Sequence, residues 1–343
     1  MSDTNVKDLF LGLIKDCQSV IACRMSPKQK SDLVKFMKYN NPSKTVLAVG
    51  DGANDVAMIT QAHVGVGISG MEGSQAVSSS DYSISEFQQL ATLILFHGRE
   101  CYRRNSYMIS YNFYKNIVYS MPLVCASWVS GWSGQTIYDI YLLQVYNVAF
   151  TCFPIIIFAV YDQEFTKEEL MNRPSLYSKG LRKNVLSWGK YFYAMVEAII
   201  HGFLVFSLAY YVFDDSFGQN GEINDMRNDG NMCYVSVVVA VTVKILYDSS
   251  NINMLVLFSA KASIMAYYFF VYVMGLFPEL PIYNQLEEIH AFPQQYFIMT
   301  LLAFAPVPFW KLFQGLNLIM EEQQEEIEEA IAEESKAKLQ MSL

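Results

Sequence analysis

The chain has 343 residues, 52% of them hydrophobic and 15% aromatic, and a formal net charge of −9. That apolar content is too high for a soluble protein of this length and points to membrane spans, while the acidic balance excludes a nucleic-acid-binding footprint. The length leaves room for about two domains, and six cysteines without CxxC spacing or histidine partners read as free thiols.

Residues 1–97 have the mixed composition of an α/β segment, and residues 1–15 hold no long apolar core, so this part is expected in the cytosol. Within it stands VLAVGDGANDVAMI, residues 46–59. Thr45 to Val49 predicts a short buried strand and Val56 to Gln61 the start of a helix. Asp51, Asn54 and Asp55 therefore sit on a strand-to-helix turn at the carboxyl edge of a parallel sheet, where ligands of open α/β sheets collect. Mg²⁺ needs only one or two carboxylates when phosphate supplies its other ligands, and Asp51 with Asp55 meets that need. A capped turn with no ligand is the other reading of the same residues.

Residues 98–105 form a basic connection with Arg99, Arg103 and Arg104. Six stretches of the length a bilayer requires follow, at about 106–129, 136–160, 188–213, 232–250, 253–276 and 295–313. Pro154, Pro306 and Pro308 lie inside spans, where neighbouring helices can satisfy the freed carbonyls. Lysines and arginines crowd the stalk and the 161–187 connection, whereas the opposite connections carry Arg227 alone. The positive-inside rule then places the α/β segment, the 161–187 loop and the tail in the cytosol. The outer loop 214–231 is polar, and suits either a docking partner or plain solvation.

Charges inside the spans need reasons. Lys115 falls near mid-depth of the first span, too deep for easy snorkelling, and there a lysine costs about 2.5–3.5 kcal/mol on insertion scales. It reads as a functional cation that faces a cavity or a partner, with a buried structural ion pair as the alternative. Asn147 and Thr151, spaced i, i+4, share a helical face and either line a path with Lys115 and Asn116 or join helices by hydrogen bonds. Glu197 and His201 read as a pair, and Lys244 with Asp248 as snorkelling groups near the cytosolic end. Lys261 receives no role. The tail, residues 314–343, with eight glutamates and two lysines from 321 onward, reads as a solvated helix.

Taken in order, CRMSPKQK (23–30), VGDGANDVAMI (49–59), GVGISGMEGSQAVSSSDYSI (65–84), HGRECYRRNSYMISYNFYKN (97–116), SGWSGQTIY (130–138), YNVAFTCFP (146–154) and YDQEF (161–165) resemble the type IV P-type ATPases, the phospholipid flippases. The resemblance covers about residues 16–190, and beyond that only hydropathy matches. It implies an integral membrane bundle of six helices preceded by a partial Rossmann-like, haloacid dehalogenase-like phosphorylation domain. It implies that Lys30 contacts the phosphoryl group, that Asp51 and Asp55 serve Mg²⁺ and that Asn54 helps order the site, with ATP as substrate of the full-length enzyme. It places Lys115, Asn116, Asn147 and Thr151 on the path of a membrane phospholipid, and implies a two-span glycosylated accessory subunit as partner.

The departures also shape the expectation. No DKTGT stretch occurs in these residues, so the phosphate-accepting aspartate is not among them, and the stretch by itself is expected not to hydrolyse ATP. An isolated part of a sheet also leaves an exposed edge. A non-catalytic paralogue, one half of a split enzyme, and a cation or polyamine pump remain as alternatives. A stand-alone phosphatase of the haloacid dehalogenase type does not fit the spans or the missing nucleophile. A helix from about Phe96 into the first span is expected to couple the Mg²⁺ turn to Lys115.

Overall fold

The computed structural model describes residues 17–70, 74–177, 187–213, 226–280 and 292–308, with a few isolated positions besides. The tail beyond 313 and most of the outer loop lie outside the described residues. The chain divides into two compact units, Met1–His97 and Gly98–Leu343.

In the first unit, helix α1 (Pro27–Asn40) opens with a capping box. Ser26 Oγ accepts from Gln29 N–H, Gln29 Oε1 accepts from Ser26 N–H, and Pro27 occupies the first turn, where a missing N–H does no harm. Three parallel strands follow, β1 (Leu47–Gly50), β2 (Val64–Ile68) and β3 (Tyr82–Ile84), in the order β1-β2-β3 with Leu47 opposite Val64 and Val66 opposite Tyr82. The expected strand thus begins at Leu47 and not at Thr45. Short helices α2 (Val56–Ile59) and α3 (Gln75–Ser78) connect the strands, and Ala48, Ile59, Val66, Ala76 and Ile84 form the small core. Helix α4 (Gln89–Thr92) and a π-helical turn, Leu93–Gly98, end this part of the chain.

The second unit is helical. Helix α5 (Arg99–Val129) is followed by α6 (Ile140–Val145), a π-helical segment Tyr146–Phe150, and α7 (Cys152–Tyr161). Then come α8 (Lys167–Asn172), α9 (Trp188–Phe213), α10 (Met226–Asp248), α11 (Met254–Met274) and α12 (Pro293–Phe304). Helix α10 is central: every residue from Asn228 through Val238 is buried, as expected of a helix surrounded by others.

Among the described residues, four helical stretches are long and apolar enough to cross a membrane: Ile140–Tyr161, Trp188–Tyr211, Met226–Asp248 and Met254–Met274. The first expected span is not one of them. Helix α5 has the length, at 31 residues or about 46 Å, but Asn112, Lys115, Asn116 and its serines dilute its apolar character. Helix α12 (Pro293–Phe304) covers the first part of the sixth expected span, 295–313, whose last residues lie mostly outside the described ones. The second begins at Ile140, not 136: the chain from 133 to 139 is non-helical, and Asp139, in extended conformation, caps the helix by accepting Tyr141 N–H.

Proline causes a local defect that the fold repairs. Pro154 has no N–H for the carbonyl four residues back, Phe150, and Phe150 O instead accepts the hydroxyl of Ser263 on α11. The 146–151 segment is therefore neither regular helix nor disrupted bundle.

Candidate functional site

In the first unit, β1 ends at Gly50 and the chain turns through Asp51, Gly52 and the 3₁₀ turn Ala53–Asp55 into α2. Gly50 must be glycine: a Cβ there would stand 2.4 Å from Asp55 Cβ. This close approach brings Asp55 under the strand end, where it is buried and its Oδ1 accepts from Lys30 Nζ at 2.6 Å. Lys30 sits one turn into α1, so the capping box that starts α1 also sets the position of its ammonium. Asp51 and Asn54 are exposed beside the pair. The arrangement is a fixed cation joined to one carboxylate, with a second carboxylate and an amide open to solvent at the sheet's C-terminal edge.

In the second unit, Lys115 stands 16 residues into α5, about 24 Å along the helix. It is 4% exposed, and its Nζ donates to Thr151 Oγ1 at 2.9 Å. Thr151 is itself buried, with φ −127° and ψ −4°, at the junction of the π segment and α7. Its hydroxyl donates to Tyr146 O at 3.0 Å, while Tyr146 OH donates to Lys115 O at 3.0 Å. A closed ring of hydrogen bonds thus ties the middle of α5 to the π segment. π-helical turns inside α-helices gather at functional sites because they leave carbonyls outside the regular ladder.

Asn116 and Asn147 are not part of this ring. Both are exposed, Asn116 because it follows Lys115 by one residue and so faces elsewhere on α5. Asn147 is exposed whereas Thr151 is buried, and the segment between them is π-helical and breaks at Thr151.

The other buried charges pair differently from the sequence expectation. Glu197 does not bond His201. Its Oε1 accepts from Lys244 Nζ at 2.5 Å, across from α9 to α10. Lys244 does not snorkel; it is buried, lies 3.5 Å from Asp248 Oδ2 and stands 4.8 Å over the Tyr114 ring. Asp248 in turn accepts from Tyr107 OH at 2.9 Å. His201 Nε2 donates to Ala303 O at 2.6 Å, which leaves Nδ1 to accept from Tyr114 OH, so the ring is assigned as the neutral tautomer. Helices α5, α9, α10 and α12 are joined by these contacts.

A second cluster went unnoticed in the sequence. Arg99 binds Glu100 at 2.5 Å and Glu164 at 2.6 Å, with its guanidinium 4.9 Å from the Phe165 ring centroid. Arg103 binds Glu100 at 2.9 Å and Asp162 at 2.8 Å. Asp162 Oδ1 also accepts from Ser249 Oγ, Ser250 N–H and Asn251 N–H, at 2.8–3.1 Å. The base of α5, the turn after α7 and the α10–α11 connection are held by one buried carboxylate. The available signal was YDQEF: three acidic or amide side chains directly after a span, matching the arginines directly before another.

A bundle in which four described helical stretches are long and apolar enough to cross a membrane belongs to the class of polytopic membrane proteins. Comparison with known proteins makes this specific. Residues 77–317 match the family description "Phospholipid-translocating P-type ATPase C-terminal", and the chain belongs to that family. It is 37% identical over 304 residues to a protein named probable phospholipid-transporting ATPase 5 of Arabidopsis thaliana, covering 88% of this chain and 25% of that one. It is 36% identical over 249 residues to phospholipid-transporting ATPase IH of Homo sapiens (72% of this chain, 22% of that one). It is 33% identical over 323 residues to phospholipid-transporting ATPase IG of Homo sapiens (93% and 28%). The chain therefore spans about a quarter of the length of these relatives.

The family as a class uses ATP and Mg²⁺. Among the described residues no group of three or more His, Cys, Asp or Glu side chains converges as a protein-built metal site. The donors at the turn fit a different arrangement: Asp51 is open at the strand end, Asp55 is held by Lys30, and the remaining ligands would be phosphate oxygens and water.

Proposed function

We propose that this chain is the C-terminal part of an ATP-driven flippase that moves phospholipid from the exoplasmic to the cytosolic leaflet. The observation that carries the reading is the Lys115 ammonium, buried midway along α5 with a hydroxyl and no carboxylate as its partner among the described residues. Such a cation attracts an anionic headgroup, whereas a cation pump needs carboxylates at that place. Thr151 positions the ammonium; Asn116 and Asn147, on exposed faces, contact lipid further along the path.

In this reading the first unit and the tail are cytosolic, and Lys261 snorkels. It is exposed seven residues into α11, and its side chain leans toward the helix N-terminus, which is the cytosolic end. Asp51 and Asp55 hold Mg²⁺, Lys30 contacts the transferring phosphoryl group and Asn54 orders it, so that fixed cations offset the charge that develops there. The aspartate that accepts phosphate lies outside these residues, and the chain alone has no ATPase turnover. A two-span glycosylated subunit accompanies the full-length enzyme.

The test is Lys115→Ala in the full-length form. Lipid-stimulated ATPase activity should fall by at least about tenfold, the loss of one charge-assisted contact, with ATP affinity unchanged. Unaltered lipid stimulation would remove Lys115 from the path.

A further inference from the structure

Thr151 holds the Lys115 ammonium, and the residue before it, Phe150, is held from outside its own helix. Pro154 cannot donate to the Phe150 carbonyl, and Ser263 on α11 donates to it instead. Ser263 is 1% exposed, so its hydroxyl needs an acceptor, and a helical serine finds one readily in a carbonyl three or four residues back. Ser259, one turn earlier on the same face of α11 and equally buried, does this by donating to Val256 O at 2.7 Å. Ser263 reaches across to another helix.

The Phe150 ring is gripped as well. It is fully buried and meets Tyr267 at 5.6 Å and Phe270 at 5.7 Å, both edge-to-face, a favoured geometry for aromatic pairs. Ser263, Tyr267 and Phe270, spaced i, i+4, i+7, lie on one face of α11. Tyr267 in turn stacks on Tyr234 of α10 at 5.6 Å. Phe150 therefore has both its carbonyl and its ring fixed to α11, and α11 is braced on α10.

The grip falls where the helix does not hold itself. The π segment ends at Thr151, whose φ of −127° lies outside the helical range, so the regular helical repeat does not set the position of its hydroxyl. That hydroxyl accepts from Lys115 Nζ at 2.9 Å. The peptide unit is planar, and the Phe150 carbonyl shares its plane with the Thr151 nitrogen. Holding the carbonyl thus orients the backbone that enters Thr151.

We infer that Ser263 is a positioning residue: its hydroxyl, with the Tyr267 and Phe270 rings, fixes the peptide plane between Phe150 and Thr151 and through it the aim of the Lys115 ammonium. The inference rests on the flippase reading for what the ammonium does, and on the contacts alone for where it stands. Ser263→Ala removes the donor and leaves the rings. In the full chain in a non-ionic detergent, hydrogen–deuterium exchange followed by mass spectrometry should rise several-fold in peptides covering 146–152 and stay unchanged in α9 around Glu197. In the full-length form, the phosphatidylserine concentration that half-maximally stimulates ATPase activity should rise about fivefold, the net worth of one hydrogen bond, with the KM for ATP unchanged. Thr151→Val takes away the hydroxyl that Ser263 positions, so adding Ser263→Ala to it should leave that concentration where Thr151→Val alone puts it.

Unchanged exchange at 146–152, exchange raised equally in α9, an unshifted lipid response, or full additivity with Thr151→Val would overturn the proposal. The exchange measurement uses neither lipid nor ATP. Raised exchange at 146–152 alone, with no lipid stimulation even of the unsubstituted full-length form, would therefore count against the flippase reading and leave the positioning role standing.

Discussion

Replacing Lys115 by methionine separates a substrate cation from a structural one. A lysine at the centre of a membrane helix costs about 2.5–3.5 kcal/mol on insertion scales, and one hydrogen bond to a neutral hydroxyl returns about 0.5–1.5 kcal/mol. Lys115 is 4% exposed, and Thr151 Oγ1 is its partner among the described residues, so roughly 1–3 kcal/mol is left uncompensated until an anion arrives. Methionine keeps the length of the side chain without the charge. Thr151 loses little, because its hydroxyl still donates to Tyr146 O. Lys115→Met should therefore raise stability by about 1–3 kcal/mol, as replacing an under-paired buried ion by an apolar residue often does, while lipid-stimulated ATPase of the full-length form falls. Unfolding in detergent, followed by circular dichroism, gives the first number. A destabilised Lys115→Met would refute the reasoning and make Lys115 part of the scaffold.

Three further substitutions probe the supporting contacts. Lys244→Met should do the opposite of Lys115→Met and cost about 3–5 kcal/mol in the same assay, because it strips the cation from the buried carboxylate of Glu197 and the half-buried one of Asp248. Adding Glu197→Gln to it should recover part of that loss. Asp162→Ala should cost about 3–5 kcal/mol, since it leaves two backbone N–H groups of the α10–α11 connection without their acceptor and removes one of the two carboxylates that Arg103 binds. Gly230→Ala would put a Cβ 1.9 Å from Ile137 O; backbone cannot yield by rotamer change, so the 133–139 loop should lift from α10, lowering stability by about 1–3 kcal/mol and opening the loop to limited proteolysis.

What was legible in the sequence followed from local rules. Asp51, Asn54 and Asp55 were readable because a strand, a turn and a helix are contiguous in the chain, and the turn alone decides where they stand. Lys115 was readable because a charge amid apolar residues is conspicuous whatever it touches. The pairing of Lys244 with Glu197 was not, since the two lie on different helices 47 residues apart, and i, i+4 spacing offered nearer partners that geometry did not choose. The exposure of Asn147 beside a buried Thr151 was not readable either, because a π turn leaves no periodic trace in composition. The Arg99, Glu100, Arg103, Asp162 and Glu164 cluster was hidden by a rule that counts arginines for orientation without asking what they bind. The strand expectation erred by two residues, Thr45 against Leu47, the ordinary uncertainty of an element end.

The central claim is ATP-driven movement of phospholipid through a path containing Lys115. The direct measurement places the full-length form in proteoliposomes with a headgroup-labelled phospholipid and follows the label between leaflets after ATP and Mg²⁺ are added to the cytosolic face. The account expects ATP-dependent accumulation in the cytosolic leaflet, abolished by Asp51→Asn and reduced by Lys115→Ala. ATPase activity that responds to metal ions or polyamines, with no lipid movement, would contradict it.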